Sequence, residues 1–387
     1  MPSSKRRFLS GAIIATCVLF AALALHFALE WRKAIDNINA MIVTPVVLPP
    51  AQAAPPTQAE QNDNTATSAD RSPSMADNPS SEDPAIATGI DAPAESGETL
   101  PITAPAADTV PTDVIVDDGT VNILLLGTDA RPDEVAATRT DALVLVHINQ
   151  QSERVSMLSL PRDLWVEYPG VGEGRINGAY PVGEHEYGSG GGAALAKATV
   201  EELLDLKIDY FILVNFEGFT TIIDQINGIR INVPDLIVDP NYPTERYGTT
   251  EIRFEPGWQR MNGERALMYA RTRHADSDFG RNQRQQQVLM AVFERVRDQG
   301  MLQQLTSFDD YTAALRDYVR TDMSRNVMLQ LATWARNLDV DQIRRYAIDA
   351  SVIKPLEDPA TFAADSRELR NLVSRMTGET SGPAGGE

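Results

Sequence analysis

The chain has 387 residues, with 34 Lys and Arg against 54 Asp and Glu and a formal net charge of −20 at neutral pH. That acidity argues against nucleic acid as a ligand, because nucleic-acid sites draw their affinity from clustered basic residues. Cys17 is the single cysteine, and no His-Glu metal motif, Gly-x-Ser-x-Gly elbow or Gly-x-x-x-x-Gly-Lys loop occurs. A disulfide framework, zinc and serine hydrolases and P-loop enzymes are therefore disfavoured.

Lys5, Arg6 and Arg7 close a short segment, 1–7, ahead of residues 8–29, which contain no Asp, Glu, Lys or Arg. At about 1.5 Å per residue this apolar run reaches roughly 33 Å, enough to span a bilayer. The preceding cations predict a cytoplasmic N-terminus and an extracytoplasmic remainder, although Arg32 and Lys33 follow the span. A cleaved signal peptide is the rival reading. The run exceeds the usual apolar region of such peptides, about 7–15 residues, which favours an uncleaved signal-anchor. Residues 44–118 are rich in Pro, Ala, Ser and Thr and hold 13 Asp or Glu against Arg71 alone. This composition predicts a disordered acidic linker. As a flexible tether it would reach about 45–50 Å.

Residues 120–355 read as one folded domain. Apolar runs at 121–126, 142–148 and 155–160 have the short, β-rich look of buried strands. A glycine-rich stretch, Gly183–Gly192, reads as a loop. Residues 193–206 have helical spacing and lead into a strand, YFILVNF, then a short helix near 218–226 and a strand at 229–233. Residues 235–258 suggest a loop or an irregular hairpin, and Asn262-Gly263-Glu264 opens a helix ending in ALMYAR. Residues 301–350 look helical with a closing strand, and 356–387 read as a polar tail. This alternation predicts an α/β domain with a central sheet covered by helices.

Two clusters carry chemistry. Asp129 hangs from the end of the first strand and Asp141 from the start of the second. If those strands pair antiparallel, both carboxylates reach one sheet edge, where hard oxygen ligands beside a phosphate suit Mg²⁺. Arg139 adjoins Asp141, and Arg162 ends the third strand. The second cluster is RTRHADSDFGRNQRQ at 271–285. Arg271 and Arg273 fall on one face of an extended segment, while Arg281, Arg284 and Gln285 fall at i, i+3 and i+4 of a helix. Val288, Leu289, Val292 and Phe293 continue that helix as an apolar stripe, and Phe216, Phe219, Ile222 and Ile223 are candidates to face it. Such a surface suits a phosphate joined to a hydrocarbon, since arginine recognises phosphate in a bidentate manner. An ordinary core helix with solvated arginines fits the same pattern, and a turn or strand cap would explain the aspartates equally well. His147, in a strand pattern, reads as packed rather than catalytic.

The segments LLLGTDAR, TRTDALVLVHI, MLSLPRDLWVEYPG, RINGAY and NGERALMYARTRHADSDFGRNQRQQ together resemble the LytR-CpsA-Psr family, in order, over residues 120–350. The resemblance implies a membrane-anchored, Mg²⁺-dependent phosphotransferase acting outside the cytoplasm. Such an enzyme moves a glycopolymer from a polyprenyl pyrophosphate carrier to peptidoglycan. It also implies a central mixed sheet flanked by helices. By motif, Asp129 and Asp141 match the family's metal-binding aspartates, and Arg139, Arg162, Arg271, Arg273, Arg281 and Gln285 match residues holding the pyrophosphate. Asp278 also falls on a motif position. Arg-Thr-Asp stands here for the usual Arg-Ser-Asp, Arg175 for a lysine, and Asn227-Gly228-Ile229 for two glycines and a valine. A hydrolase releasing the glycan phosphate and a non-catalytic module binding lipid-linked polymer are the alternatives.

Overall fold

A computed structural model describes residues 33, 35–44, 46–48, 119–129, 138–244, 248–273, 278–298, 315–336, 338–358 and 361–378. Segments 1–7 and 8–29, most of 44–118, His274 and all of 299–314 lie outside the described residues. Among the described residues no helix is long and apolar enough to cross a membrane.

The first apolar runs form strands β1 (Thr120–Thr128), β2 (Thr140–Asn149) and β3 (Arg154–Ser159), followed by a short hairpin, β4 (Trp165–Tyr168) and β5 (Gly172–Arg175). Helices α1 (Ala179–Tyr187) and α2 (Gly191–Leu204) lead to β6 (Tyr210–Asn215) and α3 (Phe216–Gln225). Then come β7 (Ile229–Val233), β8 (Ile237–Pro243), β9 (Thr249–Phe254) and β10 (Gly257–Met261). Helices α4 (Gly263–Arg271) and α5 (Asp278–Asp298) precede β11 (Val319–Thr321), α6 (Arg325–Ala335) and β12 (Arg344–Ala347). The last described elements are β13 (Ile353–Pro355), β14 (Phe362–Ala364) and α7 (Ser366–Thr377).

The central sheet is mixed, in the order β11-β6-β1-β2-β3-β12. β1 runs antiparallel to β2 and parallel to β6, and β12 runs parallel to β3. Strand alternation divides the side chains between the two faces. Leu124 and Leu126, 0% and 2% exposed, join one core with Leu195 and Val200 of α2 and Leu369 and Leu372 of α7. Val121 and Ile123 face the other side with Val327 of α6. A separate cluster joins β7, β9, α4 and α5 through Ile229, Phe254, Tyr269 and Val288. His147 is 3% exposed and its Nδ1 lies 2.8 Å from Asn122 Oδ1, a packed polar pair.

Two segments depart from the sequence reading, and a third, 235–258, takes one of its two alternatives. Gly183–Gly192 is not a loop near the site but the junction of two tightly packed helices. A Cβ on Gly183 would lie 2.3 Å from Gly191 O, so only glycine permits this approach. Residues 235–258 form the strands of an irregular hairpin, with a register shift between Asp239 and Tyr242. The polar tail from 356 contains α7, whose Leu369, Leu372 and Met376 are buried. Asp365 caps that helix, accepting from the Arg367 and Glu368 amides at 2.9 and 3.1 Å. Lys354, at 2.7 Å, and those amides hold the Asp365 carboxyl down at about 2, so the cap stays ionised.

Candidate active site

The site lies where β1, β2 and β3 end and α4 hands over to α5. In the β1–β2 ladder Gly127 pairs with Ala142 but Thr128 pairs with Thr140, so Asp141 has no partner across the strand. Asp141 is thus the extra residue of a β-bulge, a device that re-aims a side chain at a sheet edge. Arg162, just past β3, donates from Nη1 to Asp141 Oδ1 at 2.7 Å. Its Nε lies 3.4 Å from Asp163 Oδ2 and 3.7 Å from Asp278 Oδ2. Burial lowers the Arg162 pKa, but the bond to Asp141 and the charges of Asp141, Asp278 and Asp163 outweigh it, leaving a firmly charged guanidinium. Arg175, the residue in place of the family's lysine, donates from Nη1 to Asp163 Oδ1 at 3.2 Å. Burial, then the neighbouring Asp278 carboxyl, pushes the Asp163 carboxyl upward, with Arg162 and Arg175 pulling the other way.

Arg281 sits in the first turn of α5, only 4% exposed. Its Nη1 lies 3.3 Å from Asp278 Oδ1, while Nε and Nη2 are buried with no hydrogen-bond partner among the described residues. Burial also lowers its pKa, as expected for a guanidinium taken from water without full compensation. Unsatisfied buried donors are rare, and an arriving anion would satisfy both of these. Arg271 ends α4. Its guanidinium carbon lies 4.2 Å from the centre of the Phe216 ring, and Nη1 reaches Tyr242 Oη at 3.4 Å.

These groups close one end of a cavity of about 510 Å³. Asp141, Arg162, Arg271, Arg273, Arg281 and Gln285 form its polar wall. Most of the rest is apolar, built from Phe216, Phe219, Ile222 and Ile223 on one side and Val288, Leu289 and Val292 on the other. Phe293 instead packs against the core containing Val327. Asp239, Asn241 and Pro243 of β8 also reach the cavity, although the loop-like sequence gave no sign of it. Asp239, 0% exposed, accepts from Thr272 Oγ1 at 2.6 Å and so ties the hairpin to the end of α4.

Not every residue singled out in the sequence faces this space. Arg284 turns inward, donating from Nε to Tyr269 O at 3.0 Å and from Nη2 to Thr272 O, and so closes the C-terminus of α4. Asp278 acts through its contacts with Arg162 and Arg281. Arg139 and Asp129 are exposed and flank the opening rather than lining the wall. Partial burial, then the Asp141 charge, raises the Asp129 carboxyl, with Arg271 and Arg162 pulling the other way. Among the described residues no group of three or more His, Cys, Asp or Glu could hold a metal unaided. Asp129 and Asp141 fit a hard divalent cation that takes its remaining ligands from a phosphate and water, and such a cation would relieve their mutual repulsion.

The site is thus a cationic pocket opening into a largely apolar cavity on an α/β sheet. The chain belongs to the LytR-CpsA-Psr family, whose model matches residues 93–377. It is 34% identical over 206 residues to the polyisoprenyl-teichoic acid–peptidoglycan teichoic acid transferase TagT of Bacillus subtilis, covering 52% of this chain and 60% of that protein. It is 35% identical over 215 residues to the TagU transferase of Oceanobacillus iheyensis, covering 55% and 62% of the two chains. The matched part thus spans under two thirds of either transferase. The fold is similar to that of B. subtilis TagV, with a TM-score of 0.54 and 26% identity over 68% of this chain and all of that one. It is also similar to TagT bound to LIIa-WTA, with a TM-score of 0.52 and 26% identity, covering 68% and 92% of the two chains.

Proposed function

We propose that this chain is an extracytoplasmic phosphotransferase, anchored by residues 8–29, that moves a glycopolymer from a polyprenyl pyrophosphate carrier onto peptidoglycan. The observation that carries this reading is one cavity in which Arg281 donors with no hydrogen-bond partner among the described residues stand at a cationic end and apolar side chains line most of the remainder. Pyrophosphate takes the cationic end and the prenyl chain the apolar one. The activities named for the TagT and TagU relatives support the same assignment.

Arg281 Nε and Nη2 bind pyrophosphate oxygens, and Arg162, held by Asp141, Asp163 and Asp278, presents a fixed positive field beside them. Arg271, stacked on Phe216, and Arg273 complete the charge on the opening side. Mg²⁺ held by Asp129 and Asp141 would supply further neutralisation of the phosphate charge. An acceptor hydroxyl then forms a bond to the phosphorus bearing the glycan and gives up its proton to solvent, the bond to the bridging oxygen breaks, and polyprenyl phosphate leaves with that oxygen and its electron pair. Such a transfer needs positioning and charge stabilisation rather than a covalent enzyme intermediate. The apolar lining excludes water from the tail side and disfavours hydrolysis.

The test uses the full chain in liposomes with a polyprenyl-pyrophosphate glycan, peptidoglycan fragments and Mg²⁺, read by mass spectrometry. A phosphodiester-linked glycan on the fragment, lost in Asp129→Ala, is the expected product. Free glycan phosphate would make the protein a hydrolase. Bound but unchanged substrate would make it a binding module.

A further inference from the structure

The segment just after the expected membrane span is part of the folded domain. Residues 35–41 are helical, and Ile38 and Met41 are only 6% and 7% exposed. Ile42 bridges in parallel to Thr321 of β11, and the Val43 amide donates to Thr321 O at 2.7 Å. Val43 and Leu48 pack against the core that includes α2. Val46 comes so near α2 that a Cβ on Gly190 would lie 3.1 Å from its Cγ2. These contacts cover β11, the edge strand of the central sheet, which would otherwise offer unpaired backbone. β11 in turn pairs with Ile212 and Val214 of β6, two residues of the cavity wall.

The chain rejoins the same folded unit at Gly119, immediately before β1. Both flanks of the acidic stretch 49–118 are therefore held by one fold. We infer that residues 35–48 are a strap fixing the catalytic domain at a set height on the membrane, and that 49–118, whose two flanks both belong to that domain, does not set that height. The inference rests on the reading that residues 8–29 cross the bilayer. Eight residues, and so nine backbone steps, separate Leu29 from Ile38. They span about 14 Å as a helix and at most about 30 Å extended. A tether of 44–118 would reach about 45–50 Å. The strap therefore keeps the cavity close to the plane where a prenyl-linked substrate resides.

The experiment uses the full chain, in a Cys17→Ala background, labelled through Glu173→Cys and reconstituted in liposomes containing a headgroup acceptor dye. Energy transfer reports the height of the domain. Replacing residues 53–112 with twenty Gly-Ser residues is expected to leave the height unchanged. Inserting ten Gly-Ser residues after Lys33 keeps the strap contacts and is expected to raise the domain by on the order of 15 Å. Val43→Asp is expected to raise or spread the distance, with the melting curve showing that the domain remains folded. A height that follows the 53–112 replacement, or ignores the insertion after Lys33, overturns the strap. Failure of the chain to float with liposomes overturns the anchor itself, and the strap with it. Flotation with an unchanged transfer rate but the wrong height pattern overturns the strap alone.

Discussion

Two guanidinium sites lie one turn apart on α5 and are almost equally buried, Arg281 at 4% and Arg284 at 5% exposure. The site around Arg284 is furnished with backbone carbonyls from Tyr269 and Thr272, and its cation holds two helices together. The site around Arg281 offers one carboxylate at 3.3 Å and, among the described residues, leaves Nε and Nη2 with no hydrogen-bond partner. Burial and residue type are the same, so neither separates scaffold from function here. What separates them is whether folding alone satisfies the donors, because a buried polar group without a partner costs about 1–3 kcal/mol. Arg284 stabilises the fold, whereas Arg281 is a cost to it that binding reverses.

The largest effect expected from this contrast is on catalysis. Arg281→Ala should lower kcat/KM for transfer about 10²–10³-fold, the scale for losing a donor aimed at developing charge. Its melting temperature should be unchanged or higher. A fall in stability without a fall in transfer would make Arg281 a structural residue. Arg284→Ala should do the reverse, costing roughly 3 kcal/mol in denaturant unfolding by leaving buried carbonyls unpaired, while transfer per folded molecule stays within about tenfold.

Gln286 offers a neutral comparison on the same helix. It donates to Ser159 Oγ at 2.9 Å and Tyr346 O at 2.7 Å, linking α5 to β3 and β12. Gln286→Leu should therefore cost about 1–2 kcal/mol in the same unfolding measurement.

The smallest effect belongs to Asp129. Its carboxyl is raised in the folded protein, so ionisation weakens the fold. The associated stability is present below the unfolded value, about pH 4, and is lost as pH rises through the raised folded value. Without ligand, Asp129→Asn should melt above the parent protein at pH 7. The difference should close below about pH 4. A gap that widens on acidification would contradict the direction of the shift.

Much of this arrangement was legible in the sequence. Gly-Thr-Asp at the end of one apolar run and Arg-Thr-Asp at the start of the next placed two carboxylates at one edge once the strands paired antiparallel. Periodicity went wrong at Arg284 for a geometric reason. At about 100° per residue, Gln285 lies roughly 40° to one side of Arg281 and Arg284 roughly 60° to the other. Val288 and Val292 fall near Arg281 and Gln285 and share their cavity, while Ala291 falls with Arg284 on the side packed against α4. An i, i+3, i+4 grouping is too coarse to see that boundary. α7 was legible but overlooked, since Asp365 and Glu368 offer a helix start ahead of Leu369, Leu372, Val373 and Met376. The strap was not legible, because nothing local in residues 35–48 specifies a contact with Thr321 nearly three hundred positions away.

The bulge at Asp141 has a bearing on how this domain can decay over evolutionary time. A sheet gains nothing from an unpaired residue, and a chain lacking position 141 would have a regular β1–β2 ladder. Loss of the aspartate and relief of the irregularity are thus the same genetic event. A lineage released from selection on the reaction should drift toward well-folded, inactive copies, recognisable by a β1–β2 segment one residue short.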